Sequence, residues 1–354
     1  MTEFFCPTKI WSGEHALDIL KNHSAKRVLL VTDAYFSKSG KAKEIGEMIS
    51  GAEVQIFDEV RPDPNVELTA KGAALCRQFR PELLLALGGG SAMDCAKGIR
   101  LAAELPMEFI AIPTTSGSGS EVTSFSVLSR GAIKYPLVDP LLRPDGAILD
   151  ARLLHELPKS LIADTGIDLM AHCMEALAAK NSSAITDALA MGGIMAVFRD
   201  LAASYEGNLS VRGRVHEAAT MAAMAFDNAG LGLCHAMAHV LGGMTHLPHG
   251  RLCAMLLPHV MEANAAAVLP KYANLAQICG FGGATEKLRF RNLIAALNRL
   301  RISLGMPATL REAGAAVEDE NVMVTAVLKD PCCKSNPVPV DEKLVRSVWK
   351  AVRG

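Results

Sequence analysis

A chain of 354 residues, half of them hydrophobic and 21% charged, is long enough to bury the cores of two ordinary domains. Its 36 basic and 37 acidic residues leave a net charge of −1, scattered without a basic run, which excludes a nucleic-acid footprint or an anionic membrane surface as the basis of function. No apolar run approaches the roughly 20 residues of a membrane span, and the opening MTEFFCPTKIW carries no leader pattern. With nine cysteines and no C-x-x-C pair, the expectation is a reduced, cytoplasmic protein with neither a structural disulfide framework nor a thiolate zinc knuckle.

In chain order, the first 150 residues alternate strand-like and helix-like runs. RVLLVTD (27–33), EVQIFDEV (53–60), ELLLALGGG (82–90), EFIAIPTT (108–115) and GAILD (146–150) read as buried strands. Segments 41–50, 66–79 and 91–104 between them read as helices, so the pattern predicts a parallel sheet with helices on its faces. After Leu157–Pro158 the rhythm changes to Ala-, Met- and Leu-rich helical spacing over 160–180, 183–204, 211–228 and 285–303. Residues 329–343 read as a Pro-punctuated loop before a final short helix. The expected architecture is an α/β dinucleotide-binding domain over 1–160 and an all-helical domain over 161–354.

Two stretches carry chemistry in the first domain. In LLLALGGGSAMDCAK (83–97), a buried strand runs through three glycines into a helix, where free N–H groups and a positive dipole end can hold an anion. Gly88, Gly89, Gly90 and Ser91 would cradle a pyrophosphate, the alternative being a tight turn without a ligand. Asp33 ends another strand, where a carboxylate suits the adenosine ribose of NAD and repels the 2′-phosphate of NADP. It precedes the glycines by about 55 residues, whereas a Rossmann fingerprint puts the acid about 20 after them. IPTTSGSGSEVTS (112–124) is a hydroxyl- and glycine-rich loop suited to phosphate, ribose or a carboxamide, or equally to solvent.

The second domain concentrates imidazoles. GLCHAMAHVLGGMTHLPHG (232–250) holds four of the ten histidines with hardly a charge nearby. His235 and His239 are four apart on an apolar helix, and His249, between Pro248 and Gly250, reads as part of a turn aimed back at that helix. In TGIDLMAHCMEAL (165–177), Asp168 and His172 are likewise one helical turn apart. One carboxylate and three imidazoles suit a divalent first-row metal, without deciding between Fe²⁺ and Zn²⁺. A solvated ion pair and satisfied core histidines are the plain alternatives.

The stretches VTD, GGGSAMDCAK, PTTSGSGSEVTS, TGIDLMAHCMEA, AFDNAGLGLCHAMAHVLGG and LPHGRLCAMLLPHV together resemble the iron-containing (group III) alcohol dehydrogenases along nearly the whole chain. SGSGSEVTSFSVLS, IKYPLVDPLLRPDGAILD and GGMTHLPHG look most like the family's 1-propanol dehydrogenase branch, which serves 1,2-propanediol utilisation in bacterial microcompartments. The resemblance implies metal ligands at Asp168, His172, His235 and His249. It makes His239 a further active-site histidine, proposed as a proton relay, and leaves His246 in a structural or pocket-lining role. It implies cofactor contacts at Asp33, Gly89, Gly90, Ser91, Thr114, Thr115, Ser118, Thr123 and Lys134, with Asp94 and Lys97 in the pyrophosphate-side motif. Two departures stand out: the chain looks trimmed around 128–134, and the family's NPR is here Asn336–Pro337–Val338.

The implied activity is NAD(H)- and Fe²⁺-dependent interconversion of short aldehydes and primary alcohols, with propanal and 1-propanol leading and Zn²⁺ as the alternative ion. A lactaldehyde reductase or a glycerol- or 1,3-propanediol-type dehydrogenase of the same fold is the nearest rival. A non-catalytic assembly partner would show lost ligands, and none is lost. A homodimer or larger homo-oligomer is expected, with microcompartment shell or cargo proteins as further partners and no nucleic acid or membrane.

Overall fold

The strand-like runs of the first half assemble because alternate residues find apolar cover on both faces of one sheet. The computed structural model describes residues 3–130 and 133–354, apart from the side chains of Ile133 and Lys134, so the cofactor contact expected of Lys134 lies outside the described side chains. The chain divides into two compact units, one of residues Cys6–Leu157 and one of Pro158–Gly354 together with the N-terminal segment through Phe5.

In the first unit, strands β1 (Lys9–Ser12), β2 (Arg27–Asp33), β3 (Glu53–Val60), β4 (Leu83–Gly88), β5 (Glu108–Pro113) and β8 (Gly146–Leu149) form a parallel sheet in the order β1-β8-β5-β4-β2-β3. Val31, Leu29, Leu84, Ala86, Phe109 and Ala111 pack on one face against Ala73, Cys76, Met93 and Ala96 of helices α3 (Val66–Phe79) and α4 (Gly90–Ala103). Their neighbours Val28, Leu30, Leu83, Leu85, Ile110 and Ile148 pack on the other face, against Leu17, Leu20, Ala42, Ile45 and Ile49. Two short helices, α1 (Ala34–Lys38) and α2 (Lys41–Glu47), follow β2. This period-two division is what a sheet covered on both faces requires.

Two features of this unit were not legible as elements. Edge strand β1 is short and half polar, and an antiparallel pair of β6 (Phe125–Arg130) and β7 (Ile133–Val138) occupies the stretch that looked trimmed. β7 carries Pro136, which a small two-stranded ribbon tolerates and a central strand would not.

The second unit is helical, with no strand among its described residues: α5 (Lys159–Ala178), α6 (Ala184–Tyr205), α7 (Arg212–Ala229), α8 (Leu233–Thr245), α9 (His249–Ile278), α10 (Glu286–Ser303), α11 (Glu320–Lys329) and α12 (Glu342–Val352). α5 is its centre, buried from Gly166 to Ala178 and packed by α6, α7 and α9. α9 is the one described helix long and apolar enough to match a membrane span, against the expectation of none, but 61% of its apolar window is buried inside the unit. The helix breaks at Val268 (φ −130°), two residues before Pro270, whose missing N–H leaves the preceding turn unbonded. His246 is exposed and closes α8 in the left-handed conformation (φ 57°), its N–H bonded to Gly242 O at 3.0 Å, which gives it a capping role.

α6 and α7 are clamped through Asp200, whose buried carboxylate accepts from Arg214 Nε and Nη2 (both 2.9 Å) and from Arg199 Nη2 (2.7 Å). The Arg214 bonds lead in holding its pKa down to about 2, from 3.8. Because the folded pKa is depressed, the stabilisation is present above pH 3.8 and is lost as pH falls through about 2. Asp200→Asn is expected to cost about 1–2 kcal/mol at pH 7, after allowing for solvent screening of the two arginines, and progressively less below pH 4. Urea unfolding of both proteins at pH 7 and pH 3 checks this, and an unchanged difference between the two pH values contradicts it.

Candidate metal centre and nucleotide loop

The sheet order explains how Asp33 and the glycines belong together despite their separation in sequence. From β2 the chain first adds β3 on one side and then returns to add β4 on the other, so the winding direction reverses between β2 and β4. Carboxyl ends of strands at such a reversal are where open α/β sheets leave room for ligands. Asp33 and Gly88 end these neighbouring strands, and a Cβ built on Gly88 would lie 4.0 Å from Asp33 Oδ2. Asp33 Oδ1 caps α1, accepting from the N–H groups of Tyr35 (2.9 Å) and Phe36 (3.2 Å).

The glycines are needed for shape. Gly88 has φ +149°, and a Cβ there would meet Ala92 Cβ at 2.6 Å. Side chains on Gly89 and Gly90 would press on Thr115 (3.3 Å) and Ser118 (3.2 Å), so the loop after β5 lies directly against the turn. Thr114 N–H bonds Gly88 O at 2.9 Å and fixes that contact. Gly89 caps α4 without a side-chain bond, leaving the first turn of the helix, at Gly90 and Ser91, as an anion-binding end.

Lys97 and Thr123 sit beneath this surface, with the half-buried Asp94 beside them. Lys97 is 0% exposed, and its ammonium donates to Thr123 O and Oγ1 (3.0 Å each) and Phe125 O (2.8 Å), so it pins the hydroxyl-rich loop and does not reach outward to a phosphate. Ser120 Oγ donates to Asp94 Oδ1 at 3.1 Å, and burial pushes the Asp94 carboxyl up to about 6.

In the second unit, three of the expected residues converge on one oxygen of the fourth. Asp168 Oδ1 lies 3.8 Å from His172 Nε2, 3.6 Å from His235 Nε2 and 3.4 Å from His249 Nε2. A tetrahedral site with bonds of 2.0–2.2 Å has ligand-to-ligand edges of about 3.4 Å, close to the three distances from Asp168. His235 is 1% exposed, yet its Nε2 has no hydrogen-bond partner among the described residues, a cost that a bound cation removes. Desolvation pushes the buried His172 down to about 4 and lowers the 37%-exposed His249 as well, so both offer neutral lone pairs at neutral pH. Burial also works to raise Asp168, but the imidazoles of His172 and His249 outweigh it and hold the carboxyl well below the usual range. Three imidazoles and one carboxylate fit a divalent first-row metal.

His249 corrects one expectation. It is the first residue of α9, after Pro248, and not part of a free turn. Gly250 makes that placement possible: a Cβ there would lie 1.8 Å from the Asp164 carbonyl oxygen, so α9 begins in backbone contact with α5. His172 is oriented by rings, stacked between Phe226 (4.4 Å) and His235 (4.5 Å), and its Nδ1 has no hydrogen-bond partner among the described residues. His239 stands beside the four, its ring 5.4 Å from that of His249, with Nδ1 on Asp330 Oδ2 at 2.9 Å and 43% of its side chain exposed.

The histidine-rich stretch does have carboxylate neighbours, supplied by distant parts of the chain and missed in the sequence. Glu175 lies seven residues beyond Asp168 on the same face of α5 and accepts from His235 Nδ1 at 2.7 Å. It also accepts from the N–H groups of Gly232 (2.9 Å) and Cys234 (2.7 Å), so the N-terminus of α8 rests on a buried carboxylate. Against the cost of burial, the neighbouring carboxylates of Asp168 and Glu175 push His235 up to about 10. Asn336 Oδ1 accepts from Leu233 N–H (3.1 Å) and is held by a reciprocal amide pair with Asn264. The Asp168–His172–Glu175 spacing was the available signal for Glu175 and the Asn336–Pro337 pair the one for Asn336; nothing local marks Asp330.

Residues 7–151 match the family described as iron-containing alcohol dehydrogenase, and residues 162–352 match the C-terminal part of the Fe-containing alcohol dehydrogenase family. The chain is 36% identical over 365 residues to the "1-propanol dehydrogenase PduQ" of Citrobacter freundii, covering 98% of this chain and 99% of that one. It is 35% identical over 385 residues to the "NADPH-dependent butanol dehydrogenase" of Clostridium saccharobutylicum, covering 99% and 98%. Among solved structures, an iron-containing alcohol dehydrogenase from Thermococcus thioreducens superposes with a TM-score of 0.92 at 34% identity, covering 99% of this chain and all of that one.

Two substitutions test the geometry. Gly250→Ala forces α9 away from Asp164, and at least a tenfold drop in metal affinity is expected by elemental analysis after dialysis against graded chelator, where a lost supporting contact costs about 10–100-fold. Glu175→Gln keeps the shape but removes the charge that holds His235 Nδ1–H, and the same range of loss is expected, read by competition with a chromophoric chelator. Wild-type affinity in either variant contradicts the assignment.

Proposed function

The chain belongs to the iron-containing alcohol dehydrogenase family, and from that premise we propose that it is an NAD(H)- and Fe²⁺-dependent enzyme that interconverts short aldehydes and primary alcohols, propanal and 1-propanol first among them. The observation that carries the reading is the convergence of three imidazole Nε2 atoms within 3.4–3.8 Å of one Asp168 oxygen. Asp168, His172, His235 and His249 would hold a divalent metal, which would supply Lewis-acid polarisation of a carbonyl when bound, as a bound nicotinamide would supply hydride. Nitrogen donors favour Zn²⁺ on affinity alone, so the preference for Fe²⁺ rests on the family.

The chain's own residues do the rest. Glu175 fixes the His235 ring through Nδ1, which leaves Nε2 for the metal. Asp330 does the same for His239, leaving its Nε2 to deliver the proton that the reduced carbonyl oxygen requires. Gly88, Gly89, Gly90 and Ser91 with the α4 N-terminus take the pyrophosphate, flanked by Thr114, Thr115 and Ser118, and Asp33 beside Gly88 meets the adenosine ribose. A carboxylate at that point opposes a 2′-phosphate, so NADH is favoured over NADPH in this chain, although one relative is named for NADPH. The named 1-propanol and butanol dehydrogenases support a short-chain substrate. Homo-oligomeric assembly belongs to the same proposal, and size-exclusion chromatography with light scattering tests it.

Anaerobic NADH oxidation by Fe²⁺-loaded protein with propanal is expected to be fast and at least tenfold slower with NADPH. Asp33→Asn keeps the α1 cap and is expected to narrow that ratio about tenfold, since one charge contact removed is worth about 1.4 kcal/mol. His239→Ala is expected to lower kcat about 100-fold with metal content unchanged, the scale of a lost proton donor. No turnover of propanal by protein that binds both Fe²⁺ and NADH rules out this substrate and directs the search to lactaldehyde and polyols.

A further inference from the structure

One thiol faces the metal centre without belonging to the four ligands assigned above. Cys253 lies one turn after His249 on α9, so the two side chains project together, and its Sγ is 3.6 Å from His249 Nε2 and 3.9 Å from Asp168 Oδ1. The set of donor atoms that all lie within 4.8 Å of one another is Asp168, His235, His249 and Cys253, and His172 is outside it. Cys253 is 0% exposed, and the unpartnered His235 Nε2 is aimed into the same space. In a tetrahedral site, a sulfur bond of 2.3 Å and a nitrogen bond of 2.05 Å give an edge of about 3.6 Å, the separation seen between Cys253 Sγ and His249 Nε2.

We propose that Cys253 is an alternative fourth ligand of this centre, taking the place of His172 when a thiophilic ion such as Zn²⁺ or Co²⁺ occupies it. The proposal rests on the metal-centre reading above and adds a second donor set to it. Asp168, His235 and His249 are common to both sets. His172 completes three nitrogens and an oxygen for Fe²⁺ or Mn²⁺, and Cys253 completes two nitrogens, an oxygen and a sulfur for a softer ion. On binding, the S–H bond breaks, its electron pair forms the metal–sulfur bond and the proton passes to the buffer, with no change of oxidation state. The centre therefore discriminates between ions by exchanging one ligand, and a soft ion sits in a closed, sulfur-bearing site.

The test is the electronic spectrum of the full-length protein, stripped with chelator and reloaded anaerobically with one equivalent of Co²⁺. A near-ultraviolet sulfur-to-cobalt charge-transfer band is expected in the wild type and in Cys332→Ser, and is expected to vanish in both Cys253→Ser and Cys253→Ala. In parallel, Zn²⁺ affinity in Cys253→Ser is expected to fall by at least about tenfold, since a lost ligand costs no less than a lost supporting contact, while Mn²⁺ affinity changes less than about twofold. Wild-type protein that binds one equivalent of Co²⁺ with visible d–d bands and no charge-transfer band overturns the role of Cys253 and leaves the metal centre standing. A band that survives in Cys253→Ser also overturns it. Failure to retain any Co²⁺ overturns the metal centre itself, and this proposal with it.

Discussion

Two carboxylates buried on one face of α5, Asp168 and Glu175, set the terms for the helical unit. A buried carboxylate is costly unless it is paired and hydrogen-bonded, and here each is met by partners drawn from other helices. Glu175 takes the N-terminus of α8 and the Nδ1 side of His235. Asp168 faces three imidazole nitrogens. One protonated imidazole cannot balance two carboxylates, whereas a divalent cation among neutral imidazoles does. The positions of α8 and α9 follow from this: α8 starts where Glu175 and Asn336 accept its first N–H groups, and α9 starts where Gly250 allows backbone contact with Asp164.

The sheet-containing unit solves a different problem with the same economy. Its sheet reverses winding between β2 and β4, and that reversal brings the acid of one loop beside the glycines of another. The buried Lys97 then fixes the third loop from below through Thr123 and Phe125. A lysine with its ammonium fully enclosed holds only when every donor is satisfied, so it acts as a bracket under the glycine turn and the hydroxyl-rich loop.

Much of this was legible in the chain itself. Continuous apolar runs such as RVLLVTD and ELLLALGGG marked the parallel strands because a sheet covered on both faces is apolar throughout. The one-turn spacings of Asp168 and His172 and of His235 and His239 marked two helices carrying donors. What escaped was whatever depends on contact across the fold. Glu175 looks like any helix glutamate until α8 is placed on it, and Asn336 and Asp330 sit in a Pro-rich stretch that reads as a plain loop. His249 looked like a turn residue because Pro and Gly flank it, yet Pro suits a helix start and Gly250 is there for clearance. Lys97 was placed in the pyrophosphate-side motif because it adjoins the glycines, and only its burial and its bonds to Thr123 and Phe125 show that it points inward.

The account stands or falls on the donor set around one metal ion, which X-ray absorption on the Fe²⁺-loaded protein reads directly. It predicts a first shell of nitrogen and oxygen only, with the outer-shell scattering of three imidazoles, and loss of one imidazole contribution in His249→Ala. A shell with no imidazole scattering, or one unchanged by that substitution, would place the iron elsewhere and contradict the central claim.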